Sequence, residues 1–239
     1  ALKAAGKAAE MRFSKKEYEG AIEQLAILRK SNDLAISNWA LRMTGESQYG
    51  LGRYDEAFAV FEKVLPKIQD RKVRKVILRK LAISAFRTRN NPEALRYLNW
   101  WLEAERSSSH MEVQKWPTRR FEALNFLAIV QTKLGMLNEV AKTWRDLEVE
   151  VPNDQNKKSK AQKAEFSANR GLVLFRLKDY PSAVTQFHNW LGKYFGEKNR
   201  PKVLLYLGLA ELEMGKNSDA IGHLKTFLKE NPLHPKARE

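Results

Sequence analysis

Apolar residues along this chain recur at helical spacing, and the recurrence has a register. In the stretch Tyr49 to Pro66, "YGLGRYDEAFAVFEKVLP", the small Ala57 is followed by Phe61 four positions later and Val64 three after that. Those three side chains share one face of a helix. The same spacing returns around Ala21, Ala94, Val140, Ala183 and Ala220. The residue at +4 is Leu25, Leu98, Trp144, Phe187 and Leu224 in turn, and at +7 it is Leu28, Trp101, Leu147, Trp190 and Phe227. Each anchor therefore predicts an amphipathic helix that buries this face.

A second helical segment precedes every anchor and carries a small residue twelve positions before it: Ala9, Gly45, Ala82, Ala128, Gly171 and Gly208. Leu41, Leu78, Leu124 and Leu204 stand four positions earlier still. Small residues in this register predict close crossing of two helices joined by a tight turn, where overfilling would cost roughly 1–3 kcal/mol. The turns read "LGRYDE", "TRNNPE", "LGMLNE", "LKDYPS" and "MGKNSD". Gly, Asn and Asp are expected there to adopt positive φ or to cap the next helix, and Pro in a first helical turn gives up only an amide without a partner.

The six anchors stand 36, 37, 46, 43 and 37 residues apart. The two long intervals hold "ERSSSHMEVQKWPTRR" and "VPNDQNKKSKAQK". Their extra length is expected to extend helices or form mobile loops on one rim, since insertion into a surface loop costs little.

This organisation resembles the tetratricopeptide repeat family, whose unit of 34 residues carries small, Gly, Tyr, Ala, aromatic and Pro positions. Gly45, Gly52, Tyr54, Ala57, Phe61 and Pro66 match it, as do Gly208, Gly215, Ala220, Phe227 and Pro232. Gly171, Tyr180, Ala183 and Phe187 carry the fifth unit; Ala9, Tyr18 and Ala21 carry a degenerate first one. Val140 is the main departure. The resemblance implies an all-α fold, a right-handed superhelical solenoid of antiparallel helix pairs. A single array over 1–239 is expected, with units near 2–36, 38–70, 75–106, 118–152, 162–198 and 201–234.

In such arrays the first helix of each pair lines the concave face. The resemblance then assigns partner-facing positions to Lys3, Lys7, Trp39, Arg42, Glu46, Tyr49, Arg79, Lys80, Phe86 and Arg87. Further along it assigns Asn125, Lys133, Asn169, Phe175, Arg176, Lys202 and Tyr206. Some family members grip a C-terminal carboxylate with Lys, Arg and Asn; Arg79, Lys80, Asn125 and Asn169 match in type but not in unit order.

Charge sharpens this picture. The 239 residues hold 43 Lys and Arg against 28 Asp and Glu, a formal net charge of +15. Such a balance favours an anionic partner. The most concentrated stretch is Arg71 to Arg89, "RKVRKVILRKLAISAFRTR", with no acid. A solvated face and a basic patch in the groove both fit it.

Other chemistry finds little footing. Cysteine is absent, which excludes disulfides and thiolate catalysis. His110, His188, His223 and His234 are scattered and predict satisfied or solvent-facing imidazoles rather than a metal site. Neither a glycine-rich phosphate loop nor a Gly-x-Ser-x-Gly elbow occurs. Asp55 and Glu56 sit where they would offset a helix dipole. Trp101, Trp144 and Trp190 fall on core positions, whereas Trp39, Trp100 and Trp116 are less clearly buried. No cofactor and no enzymatic activity are expected.

The leading expectation is a scaffold that holds an acidic or extended protein segment in a basic groove. Nucleic-acid binding and a bacterial cell-envelope assembly role are the alternatives, and either a periplasmic or a cytoplasmic setting fits. No apolar run is long enough for a transmembrane helix. An N-terminal Ala reads as a trimmed or mature chain. The C-terminal "NPLHPKARE" reads as a hand-over to a further helix, so an uncapped end is expected to meet a partner or a second copy.

Overall fold

The computed structural model describes residues 2–106, 118–152, 156–233 and 235. His110, Trp116, His234, most of the first long interruption and residues 153–155 of the second lie outside the described residues. Within them the secondary structure is helical: α1 (Leu2–Ser14), α2 (Tyr18–Leu28), α3 (Leu34–Gly50), α4 (Tyr54–Val64), α5 (Arg71–Arg87) and α6 (Asn91–Arg106). The series continues with α7 (Arg119–Lys133), α8 (Leu137–Glu150), α9 (Lys157–Arg176), α10 (Tyr180–Tyr194), α11 (Arg200–Glu213) and α12 (Asn217–Glu230). The chain forms two compact units, residues 1–112 with α1–α6 and residues 113–239 with α7–α12. In each, helices pack with their neighbours in chain order as antiparallel pairs stacked one on the next.

The predicted register is where the core lies. All six anchors, from Ala21 to Ala220, are fully buried, and so are the +7 residues from Leu28 to Phe227. Ala9, Ala82 and Ala128 are buried, as are Gly45, Gly171 and Gly208. The reason is direct: a Cβ on Gly45, Gly171 or Gly208 would run into Phe61, Phe187 or Leu224, the +4 residue of the same pair. The +4 position itself is less uniform than expected. Trp144 and Leu224 are only half-buried. Trp144 lies stacked on Phe166, with ring centroids 5.6 Å apart, so it covers the core rather than filling it.

The six turns inside the pairs share one geometry. The residue five before each anchor has positive φ: Lys16 (63°), Gly52 (75°), Arg89 (62°), Gly135 (71°), Lys178 (61°) and Gly215 (73°). The next amide donates to a carbonyl five residues back, as in Glu17 to Arg12 (2.9 Å), Arg53 to Gln48 (3.0 Å) and Lys216 to Glu211 (2.8 Å). This is the Schellman closure of a helix C-terminus. In two turns without glycine, Arg89 and Lys178 take the left-handed conformation, not the neighbouring Asn90 or Asp179. Those two cap instead. Asn90 accepts from the Glu93 amide (3.3 Å), and Asp179 from the Ser182 amide (3.2 Å).

Side-chain caps start α3, α5, α7 and α9. Asp33 accepts from the Ala35 and Ile36 amides, Asp70 from Lys72 and Val73, Thr118 from Phe121, and Asn156 from Lys158. These acceptors satisfy helix N-terminal donors that otherwise lack a partner.

Candidate functional site

In the first unit, α3 and α5 bring together several of the predicted side chains. The Lys80 ammonium is paired with the buried carboxylate of Glu46 and stands 5.0 Å from the centroid of the Tyr49 ring. Arg42, half-buried on the same face, is close enough to repel it. Burial first, and Arg42 second, pull the Lys80 ammonium down to about 8. Burial likewise lowers the Arg42 guanidinium. Tyr49 is pushed up by burial and by Tyr54, while Arg79 and Arg87 act in the opposite direction. Two cations, one carboxylate and an aromatic ring therefore share a partly dry face, with Arg79 and Arg87 exposed at its margin.

The basic stretch 71–89 is less free than its sequence implies. Arg74 donates to the Leu65 carbonyl (3.2 Å), and Lys75 pairs with Glu105 (3.0 Å). Arg79 lies over Trp101 and Arg87 over Tyr54, each 5.9 Å from the ring centroid. Phe86 is half-buried. Trp39, half-buried, packs against the cluster of Ala5, Ala9, Leu25, Leu28 and Ala40.

The second unit gathers its own set on α9 and α11. Lys202 donates to the Asn169 side-chain carbonyl (3.2 Å). Burial, then Arg176, lowers the Lys202 ammonium, and Glu165 opposes that shift. Phe175 meets Tyr180 and Tyr206 edge to face, at 5.5 and 5.2 Å. Phe175 and Tyr49 occupy equivalent positions, eight before their anchors. Asn125 is half-buried and Lys133 exposed on α7. Of the four residues that match a carboxylate grip in type, Arg79 and Lys80 belong to the first unit, Asn125 and Asn169 to the second.

Three buried carboxylates were not foreseen as a group. Glu46 is answered by Lys80, and Glu105 by Lys75 and the Trp101 indole N–H (3.0 Å). Glu211 is answered by two histidines: His223 Nδ1 at 2.8 Å and His188 Nε2 at 3.5 Å. The two imidazoles, read from the sequence as satisfied or solvent-facing, meet on this one carboxylate from α10 and α12, with ring centroids 5.4 Å apart. Among the described residues no group of three His, Cys, Asp or Glu could hold a metal ion. Also among them, no helix is long and apolar enough to cross a membrane.

Antiparallel helix pairs, stacked through small-residue crossings and closed by a repeated turn, define a helical-repeat protein. The chain carries tetratricopeptide repeats: residues 2–71 and 202–234 match sequence models described as Tetratricopeptide repeat. Solved structures agree on the fold. MamA aligns with a TM-score of 0.55 at 15% identity, covering 83% of this chain and 94% of that one. BtubC from P. vanneervenii aligns at 0.52 and 13% identity, covering 98% and 92%. The C-terminal part of a TPR repeat-containing protein from Cytophaga hutchinsonii aligns at 0.55 and 13%, covering 95% and 79%. Among curated proteins, large ribosomal subunit protein mL101 (rPPR4) of Arabidopsis thaliana is 32% identical over 88 residues. That match covers 37% of this chain and 16% of the length of the relative. The tetratricopeptide fold is in general a protein–protein interaction scaffold and is generally not an enzyme.

Proposed function

We propose that this chain is a non-enzymatic scaffold that binds an acidic or extended protein segment on the faces of its first helices. The observation that carries the reading is the half-buried Arg42 beside Lys80, which already takes the one buried carboxylate there, Glu46. One cation remains uncompensated on a partly desolvated face, where an incoming carboxylate gains more than it would in water. Tyr49 beside it, and the Phe175 and Tyr206 rings of the second unit, supply flat apolar surface for an extended chain.

The test is isothermal titration of the full chain with an acidic peptide, across salt. Lys80→Glu is the wrong probe, because it would set two carboxylates together in a buried place. Arg42→Gln and the double substitution Arg79→Gln with Arg87→Gln remove charge without that fault. Each should weaken binding by about tenfold, the scale of one charge-assisted hydrogen bond. Binding should also slow as salt rises. Affinity indifferent to all three arginines would overturn the reading.

A second reading, nucleic-acid binding, is favoured by the net charge of +15 and by similarity to a ribosomal subunit protein. Titration with single-stranded and duplex oligonucleotides separates the two. Tight binding with a steep salt slope, indifferent to Arg42, belongs to nucleic acid.

A further inference from the structure

Between the ends of α2 and α4, against α3, the first unit holds an open hollow of about 500 Å³ lined by Arg29, Ser37, Asn38, Leu41, Lys63 and Lys67. Arg29 caps the end of α2, Lys63 is in the last turn of α4, and Lys67 closes the short 3-10 turn that follows. Ser37 and Asn38 come from α3, between those two helix ends. We propose that this cavity is a binding site for a small polyphosphorylated anion.

The argument begins with what the lining lacks. No carboxylate contributes to it. The three cations make no side-chain hydrogen bond or ion pair among the described residues, in contrast to Lys75, Lys80, Arg96, Arg120 and Arg200. Of the acids closest in sequence, Asp33 and Asp70 are held as caps on the first turns of α3 and α5, and Glu62 takes the Tyr97 hydroxyl (2.7 Å) and Arg96 (3.1 Å).

The helix ends offset part of this charge. The C-termini of α2 and α4 each present about half a negative charge, which a basic residue complements. Two such ends leave about two of the three positive charges uncompensated. Arg29 supplies a planar fork that holds two oxygens of one phosphate, while Lys63 and Lys67 supply point charges. The Asn38 amide adds a neutral donor. Cations converging from three segments on one hollow suit a compact ligand with charge in several directions, and the volume lies in the small-molecule range. This inference stands apart from the reading of the first-helix faces.

The experiment is calorimetric titration of the full chain with inorganic tripolyphosphate, and with citrate as a non-phosphate polyanion. Wild type should show one saturable site. Arg29→Gln, Lys63→Gln and Lys67→Gln should each weaken it by about fivefold to tenfold. Lys142→Gln, on an exposed helix surface of the other unit, should leave it unchanged. These exposed substitutions should not alter helicity by circular dichroism. Equal losses from Lys142→Gln, absence of saturation, or equal affinity for citrate would each overturn the proposal.

Discussion

A Cβ atom placed on Gly45 would lie 2.7 Å from Cε1 of Phe61, the large residue that faces it across the α3–α4 crossing. Gly208 stands in the same relation to Leu224, at 2.6 Å from Cγ. A contact that short forces the ring or the helix to move. Gly45→Ala and Gly208→Ala should therefore each destabilise by about 1–3 kcal/mol. Gly192 and Gly222 are also helical, but a Cβ there meets nothing within 4 Å. Alanine at those positions should stabilise by about 0.5–1 kcal/mol, because glycine is a poor helix former. Urea unfolding of the four variants checks both signs. A uniform response would mean that helix crossing is not what selects glycine at 45 and 208.

The turns make a complementary prediction. Lys16, Arg89 and Lys178 hold φ values of 63°, 62° and 61°, where a side chain crowds the backbone. Substituting each by Gly should stabilise by about 1 kcal/mol, the scale of the left-handed penalty. Gly52→Ala, at φ 75° with open space around it, should destabilise by a similar amount through backbone strain alone. Thermal midpoints of the single variants decide the matter.

The Glu46–Lys80 pair tests how buried charge is managed. Glu46 is only 8% exposed, so Lys80→Met strands a carboxylate with no lysine partner. That single change should cost about 3–5 kcal/mol, and Glu46→Leu added to it should restore most of the loss. A double-mutant cycle in urea gives the coupling directly. If the double variant is as unstable as Lys80→Met, the site owes its order to packing rather than to charge.

How much of this was legible in the chain follows from what periodicity encodes. The Ala57–Phe61–Val64 spacing and the glycines at 45, 171 and 208 reflect packing that repeats from unit to unit, so one sequence displayed it several times over. Which residue turns left-handed is a different matter. Arg89 and Lys178 lose to their neighbours Asn90 and Asp179 on intrinsic preference, yet the helix length fixes the Schellman closure at the earlier residue. The candidate face was legible as a set of cations and aromatics, but not as a set of bonds. Lys75, Lys80 and Arg74 read as free charge in the string, and each finds its acceptor 30, 34 or 9 residues away. Pairing at that distance depends on side-chain reach between stacked helices, which local pattern does not specify. The same cause hid the meeting of His188 and His223 on Glu211.

The charge on Lys80 also predicts a pH signature. Its ammonium is pulled from 10.5 down to about 8 in the folded chain, chiefly by burial. Below about pH 8 the lysine is charged in both folded and unfolded states, so it contributes no slope. Between about 8 and 10.5 the unfolded state binds more protons than the folded one, and stability due to this group rises with pH, while the neutral amine, unlike Met, still donates a hydrogen bond to Glu46. The double variant Glu46→Leu with Lys80→Met lacks the titrating group. The stability difference between wild type and that variant should be flat near neutrality and should shift in favour of wild type above about pH 8. Urea midpoints at a series of pH values measure it. Binding of an acidic peptide should move the opposite way, weakening over the same interval as the face loses a cation. A stability difference that stays level to pH 10, or an affinity that holds there, would place the Lys80 charge outside the dry face that Arg42, Glu46 and Tyr49 enclose.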